Sequence, residues 1–209
     1  MLKNMLTAIG AAALLALAVG PASANVVAGT VYFVTGAEAG NATVATVAGL
    51  PASDVGATFD APSTPLSFAS GGAYTLGEFL ASGGAFNIAL LNGHALGDSL
   101  GNTMFDFQGS VSVTTGDTFI AGHDDGLELI IGGVTVISEP GPTGFTTTTR
   151  TYSGATGTFP FELAYGECCG PPAVLDVTLP LVTPGIPEPA TLVLLGVGLI
   201  GVGALRRRR

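Results

Sequence analysis

Gly116-Asp117-Thr118-Phe119-Ile120-Ala121-Gly122-His123-Asp124-Asp125-Gly126-Leu127-Glu128-Leu129-Ile130-Ile131-Gly132-Gly133 reads as two strands around an acidic turn, and its closing Gly-Gly leads at once into Val134-Thr135-Val136-Ile137. Leu127, Leu129 and Ile131 alternate with polar or outward positions, the period of a half-buried strand. The same period runs outward from this stretch. Phe105, Phe107, Val111 and Val113 fall on one face, with Asp106, Gln108, Ser110 and Ser112 on the other, and Gly109 reads as a bulge. Phe159, Phe161, Leu163 and Tyr165 alternate, as do Leu175, Val177 and Leu179. Further strand-like runs are Val26–Val34, Thr43–Val47, Phe86–Leu91, Asp117–Ala121, Val134–Ser138 and Thr146–Tyr152, and only Thr75–Ala81 has the pattern of a short helix. Short strands divided by Gly and Pro clusters predict an all-β, two-sheet sandwich of jelly-roll type. A body of about 160 residues can bury one sizeable core, so a single domain over 25–181 is expected.

Composition agrees and excludes several functions. The chain has 209 residues, 32 of them Gly, no Trp, and 10% charged residues, which suits a Gly-punctuated β domain and not a helical one. The formal charge is −9, but the bases sit almost entirely at the ends: Lys3, then Arg206, Arg207, Arg208 and Arg209. From Asn25 to Pro189 one base, Arg150, faces fifteen acids, a net −14. Nothing in such a body can neutralise phosphates, so nucleic acid is excluded as a partner.

The ends read as addresses. Lys3, an uncharged apolar run from Met5 to Val19, and Ala22-Ser23-Ala24 have the three-part layout of a secretory signal helix, with cleavage by signal peptidase after Ala24. An uncleaved anchor is the alternative, for which fifteen apolar residues are short. At the other end 182–189 forms a linker containing Pro187-Glu188-Pro189, 190–205 an uncharged transmembrane helix, and 206–209 an arginine tail. Sixteen residues reach about 24 Å against a hydrocarbon core of roughly 30 Å, a marginal span suited to a temporary anchor. The arginines belong on the cytoplasmic side, which leaves the acidic body outside the inner membrane.

Pro187-Glu188-Pro189, the apolar helix and the arginines, in that order, resemble the PEP-CTERM sorting signal of Gram-negative bacteria. The resemblance implies a membrane-embedded exosortase that cuts near the tripeptide and releases the body to the cell surface or an exopolysaccharide matrix. A plain tail anchor is the alternative. Within this helix Gly196-Val197-Gly198-Leu199-Ile200-Gly201 matches a dinucleotide fingerprint by letter only, for no strand precedes it and no acid follows it.

Asp124 and Asp125 are the chemical focus of the body. Neighbouring carboxylates repel, and a trans backbone turns them apart. Calcium takes six to eight oxygens and would offset both the repulsion and the cost of a cis peptide that turns the pair to one point. Asp124-Asp125-Gly126 also resembles the DDG signature of the protective-antigen-type β-sandwich domain. The resemblance continues through Gly132-Gly133 and Gly157–Tyr165 to Ala173–Val177. In sugar-binding members of that family the aspartates hold calcium, which holds sugar hydroxyls, with help from the loop between the last two strands. Here that loop is Gly166-Glu167-Cys168-Cys169-Gly170-Pro171-Pro172, and Glu167 stands where those lectins often use Asn. The resemblance therefore implies a calcium site at Asp124, Asp125 and Glu167. A solvated turn, with Asp capping its own backbone, is the plainer alternative. His123 is expected as a polar loop residue or packing partner, since one imidazole beside carboxylates fits no zinc pattern.

Cys168 and Cys169 form a vicinal disulfide, stay as free thiols, or pair between chains; an exported chain meets an oxidising compartment. Gly97-Asp98-Ser99-Leu100-Gly101 matches the nucleophile elbow of serine hydrolases, but a serine needs a base oriented by a carboxylate, and His94 and His123 lack the spacing for it. The sequence is thus read as a non-enzymatic, exported surface or matrix protein with a body that binds polysaccharide through calcium. A structural matrix protein without ligand is the alternative, and a Ser99 hydrolase the remote one.

Overall fold

The computed structural model describes residues 26–62 and 65–180. The expected signal peptide with Ala22 and Ala24, the linker with Pro187-Glu188-Pro189, the transmembrane helix and the arginine tail lie outside the described residues. Among the described residues no helix is long and apolar enough to cross a membrane.

The strands are β1 (Val26–Phe33), β2 (Val55–Pro62), β3 (Leu66–Ala69), β4 (Phe86–Leu90), β5 (Thr103–Val113), β6 (Thr118–Asp124), β7 (Leu127–Ile131), β8 (Val134–Glu139), β9 (Thr146–Thr151), β10 (Gly157–Glu167) and β11 (Val174–Val177). Short helices α1 (Gly36–Ala39), α2 (Val44–Ala48) and α3 (Leu76–Ser82) lie between them. Seven strands make one sheet, in the order β4-β2-β1-β5-β10-β7-β8, and four make the other, β3-β11-β6-β9. The two-sheet β architecture follows from the alternation: Phe105, Phe107, Leu129, Ile131, Leu163 and Tyr165 of the large sheet, with Phe119, Ala121, Leu175 and Val177 of the small one, are buried in one core. Aromatic rings dominate it, with Phe79 4.8 Å from Phe105 and 5.3 Å from Phe68 between ring centres. Each such ring, fully buried, contributes roughly 1.5–3 kcal/mol of transfer free energy.

Two local expectations change and a third holds. β5 carries no bulge at Gly109, because it pairs with β10 in unbroken register, Gly109 opposite Phe161. A Cβ there would lie 2.7 Å from the Phe161 ring, so the glycine makes room for that ring instead of kinking the strand. Thr43–Val47 is not a strand. Thr43 caps α2 by accepting the Thr46 N–H at 3.0 Å, and the Val44 N–H donates to Glu128 Oε2 at 2.9 Å, so a distant carboxylate fixes the helical turn. Thr146–Thr149 lies in β9, the edge of the small sheet, consistent with its polar run.

α1 and α2 cover the outer face of the large sheet, where Ala42 and Val47 pack on Met104 and Ala164. α3 carries Phe79 and Leu80 into the main core.

Candidate functional site

The chain passes from one sheet to the other at two adjoining places. β6 belongs to the small sheet and β7 to the large, and Asp124-Asp125-Gly126 is the crossing between them. β10 belongs to the large sheet and β11 to the small, and the crossing runs through Glu167, Cys168 and Cys169. Because β7 pairs with β10 (Leu127 opposite Tyr165) and β6 with β11 (Asp124 opposite Val174), both crossings fall side by side. Sheet topology thus gathers three carboxylates from distant parts of the chain.

Their oxygens meet closely. One carboxylate oxygen each of Asp124, Asp125 and Glu167 lies within 4.8 Å of the other two, and all three residues are buried. The Asp124–Asp125 peptide is cis. Asp125 is tied to both neighbouring loops: Oδ1 accepts the Thr143 N–H at 3.0 Å, and Oδ2 accepts the N–H groups of Cys168 at 3.0 Å and Cys169 at 3.2 Å. The Phe145 backbone amide is near enough to the Asp124 carboxylate to pull its pKa down. Gly126 is required by the approach of the loop over it, for a Cβ there would lie 2.2 Å from the Pro140 carbonyl oxygen.

Glu167 forms the floor. Its Oε1 accepts the Tyr74 hydroxyl at 2.5 Å, and its Oε2 lies 3.1 Å from the Tyr165 hydroxyl, which also reaches the Asp124 carbonyl. Burial pushes the Glu167 carboxyl up to about 7, opposed by the Tyr74 bond and reinforced by Asp125. Burial, then the charge of Asp125, also raises Asp124. Burial and Glu167 hold both tyrosines protonated well above the ordinary phenol range. Asp124 and Asp125 line an open cavity of about 370 Å³ together with Pro142, Thr143, Gly144, Cys169, Gly170 and Pro171.

No lysine or arginine serves these acids. Arg150 is the single Lys or Arg among the described residues, and it pairs with Glu139. His123 is in β6, not a loop, and is a packing partner: Nδ1–H donates to the Asp125 carbonyl at 2.6 Å and Nε2 accepts from the Thr148 hydroxyl at 3.1 Å, so neither nitrogen is free for a metal. Cys168 and Cys169 are joined as a vicinal disulfide beside the cavity. Ser99 belongs to no such cluster. Its Oγ accepts the Gly101 N–H at 3.2 Å, while His94 pairs with Asp98 at 2.9 Å and stacks on Phe33.

Tyr74 is the site residue that sequence reasoning missed. It reaches Glu167 across 93 positions of chain and holds φ at 49°, uncommon for a bulky residue, with its N–H on Glu78 Oε2 and its carbonyl on the Leu100 N–H. Only that backbone strain, not a sequence pattern, singles it out.

Comparison with known proteins places the fold. No curated protein matches the chain. Among solved structures, the body is similar to the PA14 sugar-binding domain from an RTX adhesin, with 20% identity, a TM-score of 0.53, and coverage of 74% of this chain and 88% of that one. The PA14 domain of the MpAFP antifreeze protein is also similar, with 20% identity, a TM-score of 0.47, and coverage of 76% and 82%. Residues 185–209 match the PEP-CTERM protein-sorting motif. The chain therefore joins a body with the PA14 fold to a PEP-CTERM sorting motif, the signal of an exported protein sorted to the cell envelope.

Proposed function

We propose that this protein is an exosortase substrate displayed at the cell surface or in the exopolysaccharide matrix, and that its body binds calcium, and through calcium a carbohydrate, at Asp124, Asp125 and Glu167. The observation that carries this reading is the convergence of three buried carboxylates with no lysine or arginine to neutralise them. Protons or a bound cation relieve their mutual repulsion, and buried charge without a partner is costly. An all-oxygen set suits a hard ion. Oxygens bound to calcium at 2.3–2.6 Å lie at most about 5 Å apart, and the three here are within 4.8 Å. The open cavity beside Asp124 and Asp125 leaves space for a ligand to complete the ion's shell. The sugar-binding domain of the RTX adhesin, which shares the fold, supports the same reading.

A structural matrix protein without ligand is the second reading, favoured by the three amides that already bind the Asp125 carboxylate and knit the two crossings together. Thermal melting of the full chain separates them. Calcium is expected to raise the melting temperature, by about 2.7 kcal/mol of stability at a hundredfold excess over Kd, and Asp124→Ala with Asp125→Ala to abolish the rise. A melting curve indifferent to calcium leaves the structural reading standing alone.

A further inference from the structure

Phe145 is 61% exposed, more than any other large apolar side chain among the described residues. It stands at the end of the loop whose Thr143 amide holds Asp125. Its ring lies over Gly122, where a Cβ would sit 3.3 Å from Phe145 Cε2, so the missing side chain leaves room for the ring against the β6 backbone. Gly122 and Asp124 are two apart on β6 and so face the same side, about 7 Å from one another.

Ile120, 52% exposed, continues that row outward. Thr149 and Thr147, paired with Ile120 and Gly122, flank it on β9, and Asp176, opposite Gly122, flanks it on β11; all three are exposed. The outer face of the small sheet therefore carries an apolar strip edged by hydroxyls and a carboxylate, starting at the carboxylate cluster. A sugar chain has the complementary form: pyranose rings offer apolar C–H faces and a rim of hydroxyls. Exposed aromatic surface with no intramolecular partner marks an interaction site when it is continuous with one.

We propose that the ligand is a polysaccharide chain, not a single sugar, which extends from Asp124 and Asp125 over Phe145 toward Ile120, with a second sugar ring seated on the Phe145 ring. This rests on the carbohydrate reading given above and adds the ligand's length and path. Phe145 is a specificity-determining residue that acts through its ring, outside the carboxylate cluster.

The test is a glycan array of matched mono- and hexasaccharides of neutral sugars, probed in excess calcium with the full chain, Phe145→Ala and Phe145→Tyr. Phe145→Ala is expected to weaken hexasaccharide binding about tenfold while leaving monosaccharide binding and the calcium-dependent rise in melting temperature intact, and Phe145→Tyr to retain binding. Hexasaccharide binding unchanged in Phe145→Ala, or equal loss for both lengths, overturns the proposal while the carbohydrate reading stands. Absence of any saccharide binding by the unaltered chain overturns the carbohydrate reading itself, and this path with it. Sedimentation velocity supplies the remaining outcome: self-association abolished by Phe145→Ala with saccharide binding unaltered would assign the strip to a second copy of the chain and overturn the proposal.

Discussion

Asp106 shows the cost of an acid placed away from the carboxylate cluster. It lies on the outer face of β5, 5% exposed, with Oδ2 accepting the Gln108 amide at 2.7 Å and Oδ1 the single buried side-chain oxygen among the described residues without a partner. Burial raises its pKa against the pull of the Gln108 bond, and its charge in turn helps raise Glu162 and Tyr32. The folded state thus keeps a proton here to higher pH than the unfolded chain. Its contribution is full below the ordinary carboxylate range and is lost as pH rises through the raised value. Asp106→Asn is expected to flatten that dependence, so that its melting temperature relative to the unaltered chain rises between pH 4 and pH 7. Melting temperatures at the two pH values check it, and parallel profiles would contradict it.

At the scale of elements, period two made most strands legible. β5, β7, β10 and β11 each present apolar residues on every second position, and the core claims those positions. β2 and β3 escaped because Ala57 and Ala61 give the alternation little amplitude and Pro62 and Pro65 interrupt the segment. α2 was hidden in β-branched sequence and α1 by its four-residue length, though Thr35 with Glu38 forms a capping box, a signal present in the letters. For α2 the decisive partner is Glu128, 84 positions away, and no local reading reaches that far. The site divides in the same way. Asp124 and Asp125 stand out as adjacent carboxylates before a glycine, and Glu167 joins them only through the resemblance to the DDG-signature domain, whereas Tyr74 and Tyr165 act through hydroxyls whose direction only the packed sheets determine. Phe145 gave no signal at all, since its exposure depends on how the 140–145 loop folds over Gly122.

For the whole molecule, charge and topology tell one story. Arg206, Arg207, Arg208 and Arg209 fall within the PEP-CTERM sorting motif, and the acids before them include the three that the two sheet crossings bring together. The PEP-CTERM motif over 185–209 implies sorting, and the proposed exosortase cut has a direct consequence in mass. Protein recovered from its native cell is expected to lack the arginine tail, and Glu188→Ala to retain it, as intact-mass spectrometry reads. Equal masses at that end in both would defeat the cleavage step. The cation is the central claim, because the carbohydrate path depends on it. A crystal of the full chain grown with calcium should show an anomalous scattering peak between the carboxylates of Asp124, Asp125 and Glu167, absent in Asp124→Ala with Asp125→Ala. Well-ordered carboxylates with no peak between them in saturating calcium would contradict it.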